Sequence, residues 1–438
     1  MPIAYLQGKI EARTARMAVI GLGYVGLPVA ALFAEQGFTV TGVDLKAERV
    51  ALINQGISPI EGKEPGLAGL IARVVESGSL RATSDYDSLR DCDVILLDVE
   101  TPVNQAHIPE YAALRSALTS LAAVLKEGAL VVVESTIMPG TMQNVVRPIL
   151  EENSGRKCGL GFYLGNCPER VMPGKLLYNL VHMSRVAGGD SPATAAAMQS
   201  LYRHIVQAEI DATDWITAEL VKTVEHTYRD VQIAFANETA LICEALGADV
   251  WRVRELVRKS PGREMLLPGA GVGGHCIPKD PWLLASSVRG QDVDIRLIPA
   301  ARAINSGMPM HMLNLLKTRL QDLKGLRVLV LGYAYLEDSD DTRDAPSQYF
   351  LQALQAEGAQ AIVHDPFVKE FQGDVYAFAQ DCDVAVLITA HGEYRQLDFA
   401  RLKAALRSPL LLDGRNLWDK NEVARHGLEL IRLGDFSK

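Results

Sequence analysis

One run of the chain concentrates reactive residue types: Pro268-Gly269-Ala-Gly271-Val-Gly273-Gly274-His275-Cys276-Ile-Pro278-Lys279-Asp280-Pro281. Four glycines ahead of a cysteine suit a loop whose backbone passes close to a ligand and presents the thiol at its exit. A cysteine attacks as its thiolate, which exposed backbone amides or a neighbouring cation stabilise. Cys276 is therefore the candidate nucleophile, weighed against a buried, inert cysteine beside a structural turn. His275 stands next to it, but sequence neighbours point different ways, so it reads as structural.

A second candidate cluster lies within Glu219-Leu-Val-Lys222-Thr-Val-Glu-His226 and continues to Asn237. Lys222 and His226 are four apart and share a helix face, where a cation and a second donor could steady a developing oxyanion. A solvated face is the ordinary alternative. Glu134-Ser135-Thr136, with Pro139-Gly140-Thr141, follows one predicted strand, and Asn166-Cys-Pro-Glu169-Arg170 follows another. Ligands of doubly wound sheets bind at the carboxyl ends of strands, so Thr136 and Glu169 stand where a hydroxyl and a carboxylate position and deprotonate water.

Gly21-Leu-Gly23-Tyr24-Val25-Gly26 gains its meaning from context. It follows the apolar run Met17–Gly21, opens a helix over Val25–Glu35, and is followed by a strand ending at Asp44. Glycines there admit a pyrophosphate to the helix N-terminus, and an acid about 20 residues on receives the ribose hydroxyls. Asp44 would repel a 2′-phosphate, which favours NAD over NADP.

These residues need a scaffold. Strands at Asp93–Leu97 and Ala129–Val133 continue the strand-helix rhythm, which implies a parallel, doubly wound sheet. From Asp214 to Leu246 the chain reads as one long helix, with more helix at Val250–Arg258, and its apolar face calls for a second chain: a homodimer. After Gly325 strands recur at Arg327–Leu331, Ala361–His364, Val384–Ile388 and Leu410–Leu412, forming a second α/β domain without a dinucleotide motif. The expected architecture is α/β, two Rossmann-like doubly wound domains joined by a long central helix and a helical dimerisation region. Its parts are 1–212 (NAD-binding), 213–310 (central, with the cysteine loop) and 311–438 (the second α/β domain).

At 438 residues, 48% hydrophobic and 22% charged, the chain supports several packed cores. A formal net charge of −9 argues against nucleic acid and anionic membranes as partners. No apolar stretch approaches a membrane span, and Met1–Gln7 is too short and uncharged for a signal peptide, so a cytoplasmic protein is expected. Six scattered cysteines show no zinc-like spacing, so no metal is expected and five of the six should be buried, small hydrophobes.

The ordered strings G-L-G-Y-V-G-L-P, E-S-T-I-M-P-G-T, P-E-R-V-M-P-G, Y-R-D-V-Q-I-A-F-A-N-E, G-V-G-G-H-C-I-P-K-D-P and S-D-D-T-R-D-A-P-S resemble the UDP-glucose/GDP-mannose dehydrogenase family from about Met17 to Trp418. The resemblance implies a four-electron, NAD-dependent oxidation of a sugar nucleotide's C6 alcohol to a carboxylate. It implies Cys276 as nucleophile through a thiohemiacetal and thioester, with Lys222 and His226 at the oxyanion. Asp280 would support proton transfer, Thr136 would hold water and Glu169 would act as base. Cofactor contacts are expected from Gly21, Gly23, Tyr24, Val25, Gly26, Asp44, Arg49, Thr101 and Thr136. The UDP-sugar substrate would meet Glu169, Arg170, Lys222, Gly273, Gly274, Tyr333, Ala334, Arg343 and Arg415, and Arg263 would reach a partner subunit's substrate.

Three departures bear on the oxyanion and on the substrate. His226 stands where the family usually has asparagine, Leu336 where UDP-glucose enzymes have lysine, and Pro173 where they have a second glutamate. The strings around Glu169 and Cys276 resemble the branch that oxidises UDP-N-acetylhexosamines, with UDP-N-acetylmannosamine favoured. UDP-glucose, a two-electron hydroxyacid or 6-phosphogluconate type of oxidation, and a catalytically silent NAD-binding scaffold are the alternatives.

Overall fold

The computed structural model describes residues 2–60, 62 and 64–436. The chain divides into two compact units, one running to Glu225 and including Trp282–Asp292, the other comprising His226–Pro281 and the chain from Val293 onward.

The first unit is built on eight strands: β1 (Arg16–Ile20), β2 (Thr39–Val43), β3 (Leu80–Thr83), β4 (Val94–Leu97), β5 (Ala129–Val133), β6 (Phe162–Asn166), β7 (Arg185–Gly189) and β8 (Ile210–Asp214). They lie in the order β3-β2-β1-β4-β5-β6-β7-β8, with the reversal of strand order between β1 and β4 that marks dinucleotide-binding folds. Every neighbouring pair is parallel except β6 and β7, which run antiparallel, so the sheet departs at that point from the all-parallel expectation. Side chains alternate across the sheet. Met17 and Val19 of β1 enter the core on one face, Ala18 and Ile20 the core on the other.

The second unit carries β9 (Arg327–Leu331), β10 (Gln360–His364), β11 (Val384–Leu387), β12 (Leu410–Asp413) and β13 (Glu429–Arg432). These are parallel throughout, in the order β10-β9-β11-β12-β13. Val328 and Val330 bury into one face and Leu329 and Leu331 into the other. The reversal of order falls between β9 and β11, just before Tyr333 and Ala334.

The long helix forms as expected, over Trp215–Leu246, and Gly247 ends it in the left-handed conformation (φ 71°). Within the second unit it is tied to the helix Leu297–Leu320 by a buried polar chain. The Arg302 guanidinium donates to Asp230 at 2.7 Å, Asn305 donates to the same carboxylate at 2.7 Å, and Asn237 donates to Asn305 at 2.9 Å. The chain ends on the glycine loop, where the Gly269 N–H donates to Asn237 at 2.8 Å. Asp230, Asn237 and Asn305 are fully buried, so each bond is worth most through what its loss would leave unpaired.

Replacing Asp230 with alanine would strand the buried Arg302 charge. The variant should lose about 3–5 kcal/mol of stability in denaturant titration, and Asp230→Asn less. A change within experimental error would show that the ion pair is not needed to hold the helices.

Candidate active site

In the first unit the glycine motif separates into two functions. A Cβ on Gly21 (φ 94°) would lie 2.4 Å from the Asp98 carbonyl oxygen, and one on Gly26 would lie 2.0 Å from the Gly21 carbonyl oxygen. Those two positions close the turn on itself. Gly23 faces open space, with nothing within 4 Å of a built Cβ. No side chain caps the first turn of the helix Gly26–Glu35, which leaves its N-terminus without a side-chain acceptor, a feature that fits an anionic pyrophosphate.

Asp44, at the carboxyl end of β2, is buried and accepts from the Leu22 N–H at 3.0 Å, the Lys46 N–H at 2.9 Å and the Arg49 guanidinium at 3.0 Å. Arg49 thus reaches the expected ribose-binding acid. The Tyr24 hydroxyl donates to Glu64, which also accepts from the Gly174 and Leu176 amides. Val25 begins the helix. Thr101 is buried and donates to the Thr136 carbonyl oxygen at 2.6 Å, which joins the two expected cofactor contacts.

At the carboxyl ends of β5 and β6 the polar groups are densely packed. The buried Lys222 ammonium donates to the Glu169 backbone carbonyl, and Glu169 Oε2 is buried without a hydrogen-bond partner among the described residues. Glu134 serves the interior instead: it pairs with Arg185 at 3.1 Å and accepts from Tyr202 at 2.9 Å, all three buried. Burial, then the neighbouring Glu134, push the Asp98 carboxyl well above its ordinary range. Glu219, one turn before Lys222, accepts from the amides of Gly140 at 2.7 Å and Met142 at 2.8 Å. It pins the Pro139-Gly140-Thr141 turn to the long helix. Burial raises its carboxyl from 4.5 to about 7 against the pull of those amides. The sequence assigned no role to Asp98, Arg185 or Glu219; Glu219 alone carried a signal, an acid three residues before Lys222 on the same helix face.

In the second unit three expected residues converge. His226 Nδ1 is hydrogen-bonded to Asp280, which is fully buried and whose other oxygen lies 3.0 Å from the Lys279 ammonium. Donor atoms of His226, Cys276 and Asp280 all lie within 4.8 Å of one another. Arg343 and Tyr335 are near enough to Cys276 to interact electrostatically with its thiol. A buried carboxylate orienting a histidine beside a half-buried thiol is an arrangement that supports a nucleophile. His275 is exposed.

The remaining cysteines are poor rivals. Burial pushes the Cys92 thiol to about 11 and the Cys167 thiol to about 12, and raises Cys158, Cys243 and Cys382 as well.

The glycines before Cys276 serve close packing of chain on chain, beyond the expected approach to a ligand. A Cβ on Gly273 would lie 2.5 Å from the Asp344 carbonyl oxygen, and one on Gly274 (φ 91°) 2.7 Å from the Tyr335 ring. The Gly274 N–H donates to the Arg343 carbonyl oxygen at 2.9 Å. The Arg343 guanidinium itself turns to Asp341 at 2.5 Å, while Arg415 donates to the Ile388 carbonyl oxygen at 2.8 Å and would crowd any side chain at Gly269. The amides of Tyr333 and Ala334 both donate to the buried Asp365. In the first unit Arg170 pairs with Glu225 at 2.8 Å. Arg263 is exposed and reaches the Pro261 carbonyl oxygen, apart from the Cys276 cluster.

Residues 15–206 match the NAD binding domain of the UDP-glucose/GDP-mannose dehydrogenase family, residues 216–307 its central domain and residues 329–420 its UDP binding domain. The chain belongs to this family. It is 37% identical over 407 residues to the UDP-N-acetyl-D-mannosamine dehydrogenase of Pyrococcus horikoshii, covering 92% of this chain and 96% of that protein. It is 34% identical to an NDP-N-acetyl-D-galactosaminuronic acid dehydrogenase of Ralstonia nicotianae, covering 95% and 98%. A solved structure of the UDP-D-ManNAc dehydrogenase of Pyrococcus horikoshii superposes with a TM-score of 0.90 at 35% identity, over 97% of this chain and 100% of that one. This member of the UDP-glucose/GDP-mannose dehydrogenase family is thus an NAD-dependent nucleotide-sugar dehydrogenase. Among its described residues no helix is long and apolar enough to cross a membrane.

Two outcomes follow. If Asp44 is the ribose-binding acid, Asp44→Ala removes it and releases Arg49 to meet a 2′-phosphate, so the NAD/NADP ratio of kcat/KM should fall about tenfold or more. An unaltered ratio would remove Asp44 from cofactor selection. Glu219 has a raised folded pKa, so its contribution to stability is full below about 4.5 and is lost as pH rises through about 7. Glu219→Gln should therefore flatten the fall in melting temperature across that window, and an unchanged slope would mean that another group causes it.

Proposed function

We propose that this dehydrogenase oxidises the C6 hydroxyl of a UDP-N-acetylhexosamine to the carboxylate, with UDP-N-acetylmannosamine as the favoured substrate. The observation that carries the reading is the cluster of Cys276, His226 and Asp280, in a chain whose other five thiols are pushed upward by burial. The names borne by the relatives support the acetamido sugar.

Bound NAD supplies the hydride acceptor for each of two successive oxidations. In the proposed sequence the Cys276 sulfur adds to the C6 aldehyde, giving a thiohemiacetal whose oxidation yields a thioester. Water then cleaves the thioester and regenerates the thiol. The sum is alcohol, two NAD and one water giving carboxylate, two NADH and three protons.

Lys222 steadies the oxygen that becomes anionic at C6, and His226, held by Asp280, supplies a second donor or takes up the thiol proton. Thr136 holds the hydrolytic water, and Glu169, with its unpaired oxygen, removes its proton. Gly273, Gly274, Tyr333, Arg343 and Arg415 line the UDP-sugar site, with Arg170 at the sugar end and Arg263 directed to a partner subunit. Arg343 would exchange Asp341 for a phosphate oxygen. Residues 1–212, 213–310 and 311–438 act in this reading as cofactor, central and nucleotide-sugar segments of a cytoplasmic enzyme.

The protein is proposed to work as a homodimer through the long helix. Ile216, Leu220, Val224, Tyr228, Phe235, Ile242 and Leu246 are all exposed along it, an apolar stripe of a kind that a second copy covers. Phe235→Glu should convert a dimeric mass in light scattering to a monomeric one, and a wild-type monomer would end this part of the reading.

The deciding experiment measures NADH released per sugar with limiting UDP-N-acetylmannosamine, UDP-N-acetylglucosamine, UDP-N-acetylgalactosamine and UDP-glucose. Two NADH from an acetamido sugar are expected, and one would reduce the enzyme to a simple alcohol oxidation. Cys276→Ser should lower turnover by about 10³-fold or more with an unchanged thermal melt.

A further inference from the structure

We propose that His226, Cys276 and Asp280 form a binding site for a thiophilic divalent cation of the zinc class, and that a metal held there blocks the enzyme reversibly. Linear spacing hides this donor set, because the three residues come from the long helix, the glycine loop and the first turn of the helix Asp280–Ser286. The fold nonetheless brings one nitrogen, one sulfur and one carboxylate oxygen within 4.8 Å of each other. Tetrahedral zinc, with bonds of about 2.0–2.3 Å, needs donors about 3.3–3.8 Å apart, so small side-chain rotations close the site. A mixed N, S, O set with water as fourth ligand suits zinc, cobalt(II) or cadmium and not magnesium or calcium, which prefer oxygen alone.

The surroundings favour ligation. Asp280 is fully buried and already bonded to the imidazole, so two of the three donors are held together before any metal arrives. The Lys279 ammonium, 3.0 Å from one carboxylate oxygen, balances charge at Asp280 and thereby limits the affinity for a further cation. Side-chain exposure of 16% at His226 and partial exposure of Cys276 give an ion access. Binding opens the His226–Asp280 hydrogen bond and exchanges the thiol proton for a metal–sulfur bond: the cation enters, the proton held between the neutral imidazole and the carboxylate moves to the other ring nitrogen, the thiol proton leaves, and no electron moves.

The site stands on geometry alone, whereas the inhibition rests on the proposed nucleophilic role of Cys276, and the test separates the two. Full-length protein freed of metal with a chelator is titrated with cobalt(II) and read by its sulfur-to-cobalt charge-transfer absorption and visible ligand-field bands, with zinc as competitor. One cobalt per chain with a thiolate band is expected. The band should vanish in Cys276→Ser, and affinity should fall at least about tenfold in His226→Asn and in Asp280→Asn. Circular dichroism checks that each variant is folded. Absence of a thiolate band in the wild type, or undiminished affinity in a folded His226→Asn, overturns the site. If the band appears and zinc leaves turnover untouched, the metal site stands and the nucleophilic role of Cys276 fails.

Discussion

The position of the thiol depends on a line of buried hydrogen bonds that begins at Arg302 and ends at the Gly269 N–H, passing through Asp230, Asn305 and Asn237. Without that line the glycine loop would have no fixed origin on the long helix. With it, the loop leaves the helix at a defined point, packs Gly273 and Gly274 against the Asp344 backbone and the Tyr335 ring, and delivers Cys276 beside His226 and Asp280. A buried charge pair is expensive to break because the surviving partner has no water to turn to, so this line is both a constraint and a point of vulnerability.

The first unit solves a related problem at the carboxyl ends of its strands. Glu219 anchors the turn after β5, Lys222 anchors the segment after β6, and both stand on one helix a single turn apart. One element therefore positions the loop proposed to hold water and the candidate base together. Glu134, Arg185 and Tyr202 bond to one another in the buried space beneath, and the upward shift of Asp98 favours its neutral form beside the Glu134 carboxylate.

Much of this was legible in the sequence. β1, β2, β4, β5, β9, β11 and the long helix read out within a residue or two, because apolar runs bounded by glycine or acid leave little choice. β3, β7, β8 and β13 escaped notice, being short and carrying polar or glycine positions as in Leu80–Thr83 and Ile210–Asp214. Cys276, His226 and Asp280 were each singled out, but their meeting was not, since contact between residues 50 apart is a property of the fold. The glycines were read as clearance for a ligand, and the packing against Tyr335 and Asp344 could not be seen from spacing alone. Asp230 and Asn237 stood in a family string without a stated reason, and their burial supplies one.

In the proposed mechanism the sugar carbon passes through a bond to the Cys276 sulfur. Its most direct measurement is peptide-mapped mass spectrometry of Glu169→Gln protein, acid-quenched during turnover with UDP-N-acetylmannosamine and NAD. A nucleotide-sugar acyl adduct on the Cys276 peptide, removed by hydroxylamine, is expected. Turnover to the uronic acid with that peptide unmodified throughout would contradict it.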